Sequence, residues 1–242
     1  MNREMNREMN RYDVLFIDLD DTLYDFSANS LDAYREVYAL MGYDRWFDGF
    51  DHYYRIYWER NRQLWVLYGD GKITKDELNA ERYTHPLRVA GVPDADAVGA
   101  RFWAEAMKRL PLGAKLMPHA REVLEYLKPR YRIYILSNGF AELQARKMRS
   151  AGIGHYFDGV VLSEDIGVNK PHRAIFEHAL SVAGVTADRA LMIGDNYEVD
   201  IKGARGAGID QVYYNVAGTA IGDGDPEPTH TISSLLELKG IV

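Results

Sequence analysis

The chain is predicted to be an α/β protein: a doubly wound, Rossmann-like parallel sheet interrupted by an all-helical insertion. Three observations predict it. Short apolar runs ending in Asp or Ser recur along the chain, helical periodicity fills the gaps between most of them, and one long stretch after the first run shows helical periodicity with no such run. A strand buried on both faces reads as a continuous apolar run, and strands alternating with helices build parallel sheets.

The elements follow in order. Residues 1–11 repeat M-N-R-E with no apolar side chain beyond Met, and are expected to be disordered or frayed. Y-D-V-L-F-I-D at 12–18 reads as the first strand. From 27 to 111 the chain is rich in Tyr, Trp, Arg and Glu, and Leu31, Tyr34, Val37, Tyr38 and Met41 fall on one helical stripe. This stretch is predicted to be a helical cap domain, with 12–26 and 112–242 forming the α/β core domain. Pro111, Gly113 and Pro118 mark the return, and 24–27 and 110–113 are the expected hinges. Helix 120–128 carries Val123, Leu124 and Leu127 on one face. Strands are predicted at 131–137, 160–163, 190–195 and 210–214, with helices at 141–151, 172–183 and 198–207. Gly152, Gly184 and Gly208 stand where helices should stop.

Composition narrows the function classes. A formal net charge of −7 over 242 residues argues against a nucleic-acid polymer as partner, which calls for a basic surface. Cysteine is absent, so disulfides, thiolate chemistry and cysteine-held zinc are excluded. The longest apolar runs have five residues, Leu64 to Tyr68 among them, where a membrane span needs about 20. The polar N-terminus lacks the apolar segment of a secretory signal. The expectation is a cytoplasmic enzyme or binding protein, monomeric or homodimeric, with a small-molecule partner and no membrane.

Four short motifs fall at predicted strand ends or loop-to-helix junctions: D-L-D-D-T-L at 18–23, L-S-N-G at 136–139, Lys170-Pro171, and G-D-N-Y-E-V-D at 194–200. In open α/β sheets, ligands bind at the carboxyl ends of strands. Taken singly, each motif has an ordinary reading: an Asp closing a strand is often a turn or helix cap, and S-N-G is a common turn. Together they gather carboxylates, a hydroxyl, an ammonium and glycine-flanked amides on one rim. Acids so gathered repel one another unless a cation lies among them, and an oxygen-only donor set points to Mg²⁺.

The four motifs, in this order, resemble those of the haloacid dehalogenase superfamily, and the helical insertion after the first strand resembles its C1-type cap. The resemblance implies Asp18 as the nucleophile that takes a phosphoryl group, and Asp20 as general acid and then base. It makes Asp18, Asp195 and Asp20 the Mg²⁺ ligands, Asp20 through its backbone carbonyl. Asp200 is expected to orient a metal-bound water or Lys170. Lys170, Ser137 and Asn138 would hold phosphoryl oxygens, and Thr22 would fix the first loop and join them, while Asp21 is ambiguous between a turn and the chemistry. Members that dehalogenate attack carbon and need no acid two residues after the nucleophile, so Asp20 favours phosphoryl chemistry.

Further stretches resemble one subgroup, the house-cleaning pyrimidine 5′-nucleotidases: D-L-D-D-T-L-Y-D-F at 18–26, N-R-Q-L-W-V-L-Y-G-D-G-K-I-T at 61–74, L-S-N-G-F at 136–140 and S-E-D-I-G-V-N-K-P at 163–171. The implied reaction is Mg²⁺-dependent hydrolysis of (deoxy)pyrimidine nucleoside monophosphates. Phe26, Trp65, Tyr68 and Phe140 are the candidate contacts to a base, with helix packing as the competing reading for each. A sugar-phosphate phosphatase or a phosphoglucomutase-like enzyme on the same core is the alternative enzyme. A catalytically silent binding protein is the alternative of another class.

Overall fold

The computed structural model describes residues 11–242. The expected frayed extension lies outside them except for Arg11, whose guanidinium donates to Asp210 at 2.6 Å. Two compact units form: Ala28–Gly113 is one, and the segments ending at Ser27 and beginning at Ala114 together make the other.

The second of these is an α/β unit. Its strands are β1 (Val14–Ile17), β2 (Arg132–Ser137), β3 (Gly159–Leu162), β4 (Ala190–Gly194), β5 (Asp210–Tyr214) and β6 (His230–Ile232). They form one sheet in the order β3-β2-β1-β4-β5-β6, every neighbouring pair parallel. β1 is buried throughout, as its unbroken apolar V-L-F-I requires. Alternate side chains feed opposite faces. Val14 and Phe16 pack with Leu136, Val161, Ile175, Phe176 and Met192. Leu15 and Ile17 pack with Val123, Leu124, Leu127, Ile135 and Ile193.

β6 is the strand the sequence did not announce. It is only three residues long and buries only Ile232, so it offers no apolar run to read. The predicted helix at 198–207 also differs in detail. It opens as a wide π turn at Tyr197–Ile201 and becomes α-helical only over Lys202–Gly206.

The helical unit is built on α1 (Phe26–Leu40), α2 (Phe50–Gly69), α3 (Lys75–Val89) and α4 (Ala95–Arg109). The stripe read from the sequence is buried at Tyr34, Val37 and Tyr38. α3 starts on a capping box: the Glu77 amide donates to the Thr74 hydroxyl at 3.2 Å, and the Thr74 amide donates to the Glu77 carboxylate at 2.7 Å. The unit's interior is aromatic: the rings of Tyr34, Tyr57 and Tyr83 contact one another, and Tyr83 also contacts Phe102.

In the α/β unit, α5 (Ala120–Leu127), α6 (Ala141–Ser150), α7 (Arg173–Ala183) and the short α8 (Lys202–Gly206) complete the alternation. Registers pair Ile17 with both Ile135 and Ile193, so the carboxyl ends of β1, β2 and β4 lie level. The order of strands reverses at β1, with β2 on one side and β4 on the other, which is where a crevice opens in such sheets.

Candidate active site

Asp18 follows β1 directly, and its amide donates to the Ile193 carbonyl at 2.9 Å. Asp195 follows β4, so the two acids leave neighbouring strands within one residue of the same level. Thr22 ties their loops together: its hydroxyl donates to Asp195 Oδ1 at 3.0 Å and accepts from the Asp195 amide at 3.1 Å. Thr22 is fully buried and its hydroxyl is committed to Asp195. Its contacts join the first loop to the loop after β4, and with its hydroxyl proton given to Asp195 it has none to offer a phosphate.

Lys170 is the centre of charge. Its Nζ donates to Asp18 Oδ1 at 2.7 Å, to Asp200 Oδ1 at 2.6 Å and to the Leu136 carbonyl at 2.7 Å. All three ammonium protons are spoken for. Burial works against the charged ammonium, but the carboxylates of Asp18 and Asp200 outweigh it and hold the proton more firmly than in free lysine. Of the two expectations for Asp200, orienting Lys170 is the one its contacts fit. Asp200 Oδ2 also accepts from the Asn196 amide at 3.1 Å. The carboxylate fits there only because residue 194 is glycine, since a Cβ at Gly194 would collide with it.

Asp18, Asp195 and Asp200 each offer an oxygen, and these lie within 4.8 Å of one another. Burial pushes the Asp18 carboxyl well above the usual carboxylate range. Lys170 opposes that shift, and Asp200, Asp195 and Asp20 add to it. Burial, then the charges of Asp200 and Asp21, push Asp195 up to about 7. With all three carboxylates ionised, three negative charges against one ammonium leave two, the charge a divalent cation would cancel. The donor set is all oxygen and suits Mg²⁺.

The second motif is built as a donor. Ser137 Oγ accepts from the Gly139 amide at 3.1 Å and from Gln144 Nε2 at 2.8 Å. With both lone pairs used, its own proton is left to give. The Asn138 side chain is occupied elsewhere. Its Nδ2 donates to the Lys170 carbonyl at 2.9 Å and its Oδ1 accepts from the Lys170 amide at 2.8 Å, locking the second and third motifs together.

Asp20 turns away from the acid cluster. Lys147 Nζ donates to both its oxygens, at 2.8 and 2.9 Å, and Gln144 Nε2 donates to Oδ2 at 3.1 Å. Gln144 and Lys147 are the residues the sequence reading missed. A signal existed: Leu143, Gln144, Lys147 and Met148 are the buried side of α6, so two polar residues occupy an apolar stripe. Asp21 has φ 59°, in the left-handed region that Asp tolerates better than most residues. Its carboxylate accepts from the Ser27 amide and hydroxyl, both at 2.8 Å, the local turn role.

The four aromatic candidates divide. Phe26 and Phe140 belong to the α/β unit. Phe26 presents its ring to the Lys147 ammonium, 4.3 Å from the centroid, and Phe140 is buried at the start of α6. Trp65 and Tyr68 lie in the helical unit in edge-to-face contact with each other, ring centroids 5.7 Å apart.

Comparison with known proteins fits this geometry. Residues 12–208 match the family model of haloacid dehalogenase-like hydrolases. The chain is 33% identical over 233 residues to the pyrimidine 5′-nucleotidase YjjG of Escherichia coli, covering 96% of this chain and 98% of that protein. It is 29% identical to the pyrimidine 5′-nucleotidase PynA of Streptococcus pneumoniae, covering 84% of each. The magnesium-bound crystal structure of YfnB from Bacillus subtilis superposes with a TM-score of 0.85 at 29% identity, covering 96% of this chain and 99% of that one.

Proposed function

Because the chain belongs to the haloacid dehalogenase-like hydrolase family, we propose that it is a phosphatase that cleaves phosphomonoesters through an aspartyl-phosphate. Its proposed substrates are pyrimidine nucleoside 5′-monophosphates. The observation that carries the reaction class is the pair Asp18 and Asp20: one carboxylate in the acid cluster bonded to Lys170, and a second, two residues on, held apart from that cluster. The nucleotide preference is supported by the likeness to YjjG and PynA.

In the first step an Asp18 oxygen attacks phosphorus, and the bond from phosphorus to the alkoxide oxygen breaks. Asp20, entering the step in its protonated form, gives that oxygen its proton, so the alcohol leaves neutral. In the second step Asp20, now a carboxylate, takes a proton from water. The water oxygen attacks phosphorus, the bond to Asp18 breaks, and phosphate and the Asp18 carboxylate are restored. Lys170 offsets the repulsion between Asp18 and an incoming phosphate, and the Ser137 hydroxyl and the Asn138 backbone amide meet the phosphoryl oxygens. Asp18, Asp195 and the Asp20 carbonyl are the groups that would hold Mg²⁺, with Asp200 beside them. A bound cation would supply charge neutralisation at the phosphoryl oxygens.

The test is phosphate release from nucleoside monophosphates and sugar phosphates, with and without Mg²⁺. Release from pyrimidine 5′-monophosphates that stops with chelator is the expected result. Preference for sugar phosphates would move the substrate class, and no release from any ester would leave a binding protein as the better account.

A further inference from the structure

The clamp on Asp20 is unlike the rest of the site, because it comes from a helix that carries none of the four motifs. Gln144 and Lys147 are three residues apart on α6 and so share one face. Both are buried, at 1% and 2% exposed. A buried ammonium is costly unless it is paired, and the carboxylate that pairs with this one is that of Asp20. Two rings also face it, Phe26 at 4.3 Å and Tyr24 at 5.6 Å from the nitrogen. The Asp20 side chain is 26% exposed while that of Lys147 is 3% exposed. The carboxylate is thus gripped from within and open outward.

Gln144 shows the same bias. Its Nε2 serves Asp20 Oδ2 and Ser137 Oγ at once, while its Oε1 is buried without a hydrogen-bond partner. A side chain optimised for packing would not leave that acceptor unmet. The glycine of S-N-G makes room for it, since a Cβ at Gly139 would overlap the Gln144 amide.

We propose that Lys147 and Gln144 are positioning residues that fix the Asp20 carboxylate in one orientation and tie it to the phosphate-binding hydroxyl of Ser137. The acid–base group and the phosphoryl donor are thereby set at a constant spacing before any ester arrives. The inference rests on the phosphatase reading above and assigns Lys147 no contact with substrate.

The test compares wild type, Lys147→Met, Lys147→Arg, Asp20→Asn and the double variant Lys147→Met/Asp20→Asn for phosphate release from a pyrimidine nucleoside 5′-monophosphate with Mg²⁺. Folding of each is checked by circular-dichroism melting. Lys147→Met is expected to lower kcat on the order of 100-fold, the scale of a displaced catalytic group, with KM changed less than about threefold. Lys147→Arg should restore most of the loss. Adding Lys147→Met to Asp20→Asn should cost less than about threefold more, because the lysine acts through a group already disabled. Should Lys147→Met fail to fold, Gln144→Leu carries the same comparison. Wild-type kcat in these variants, or a full loss that multiplies onto Asp20→Asn, overturns the clamp and leaves the phosphatase reading standing. A wild-type protein that releases phosphate from no ester overturns both.

Discussion

The two units differ in how much charge they bury. In the α/β unit buried ions of opposite sign bond to one another, Lys170 with Asp18 and Asp200, and the buried Lys147 bonds the partly exposed Asp20, beside neutral buried groups such as Thr22, Ser137 and Gln144. In the helical unit the buried polar side chains among the described residues are neutral apart from Arg82, and phenols are prominent among them. The Tyr34 hydroxyl shares hydrogen bonds with those of Tyr57 and Tyr83, at 2.9 and 3.0 Å, while the Tyr43 and Tyr53 hydroxyls have no protein partner. Even the buried cation there, Arg82, lies over rings, those of Tyr83 and Trp103, rather than against a carboxylate. Burial pushes Tyr34, Tyr53 and Tyr57 well above the ordinary phenol range, so these groups stay neutral. Each unmet hydroxyl costs about 1–3 kcal/mol, and ring contacts worth about 0.5–1.5 kcal/mol apiece offset it. One unit concentrates charge where bonds are to be broken. The other spends its polar atoms on the edges of an aromatic core.

That contrast makes sharp predictions, and the largest concerns the ions. Asp18→Asn should reduce turnover by on the order of 10⁴-fold or more, because an amide cannot form the acyl phosphate. Phosphate release near the wild-type rate would end the covalent route. In the helical unit the large effect should be on stability instead. Phe102→Ala removes a fully buried ring and should cost about 3–5 kcal/mol in urea unfolding. A cost under about 1 kcal/mol would mean the aromatic core has little weight.

The acid cluster should also set a pH dependence that the phenols lack. Asp195 titrates near 7 in the folded chain, above its unfolded value of 3.8. Protons are therefore held more tightly by the folded state. This contribution to stability is complete below the unfolded value and is lost as pH rises through about 7. It amounts to no more than about 4 kcal/mol. Melting of metal-free protein between pH 4 and pH 8 should show the decline, and Mg²⁺ should raise the melting temperature more at pH 8 than at pH 5. An equal shift at both would contradict the carboxylate site. The smallest effect belongs to a helix end: Thr74→Ala loses the capping box of α3 and should cost about 1 kcal/mol, with activity unchanged.

What could be read in advance divides along physical lines. The sheet was legible because β1, β2, β4 and β5 are buried on both faces and spell that burial out as apolar runs. β6 pairs only with β5 at the rim, so three residues with one buried side chain suffice and no pattern forms. Asp18, Ser137 and Asp195 were legible because each ends a strand, and chemistry gathers at strand ends. Gln144 and Lys147 were not, because on a helix as polar as A-E-L-Q-A-R-K-M-R-S a buried lysine looks like its solvated neighbours. Only the partner shows the difference, and Asp20 is 127 residues away along the chain.

Thr22 and Asp195, joined across 173 residues of sequence, show how the reaction centre is assembled. Every ion described in it is supplied by chain outside Ala28–Gly113. A different insertion spliced between Ser27 and Ala114 would inherit those charges intact. The sequence of the inserted helices is thus under no obligation to these ions, and the two parts of the chain answer to separate physical demands.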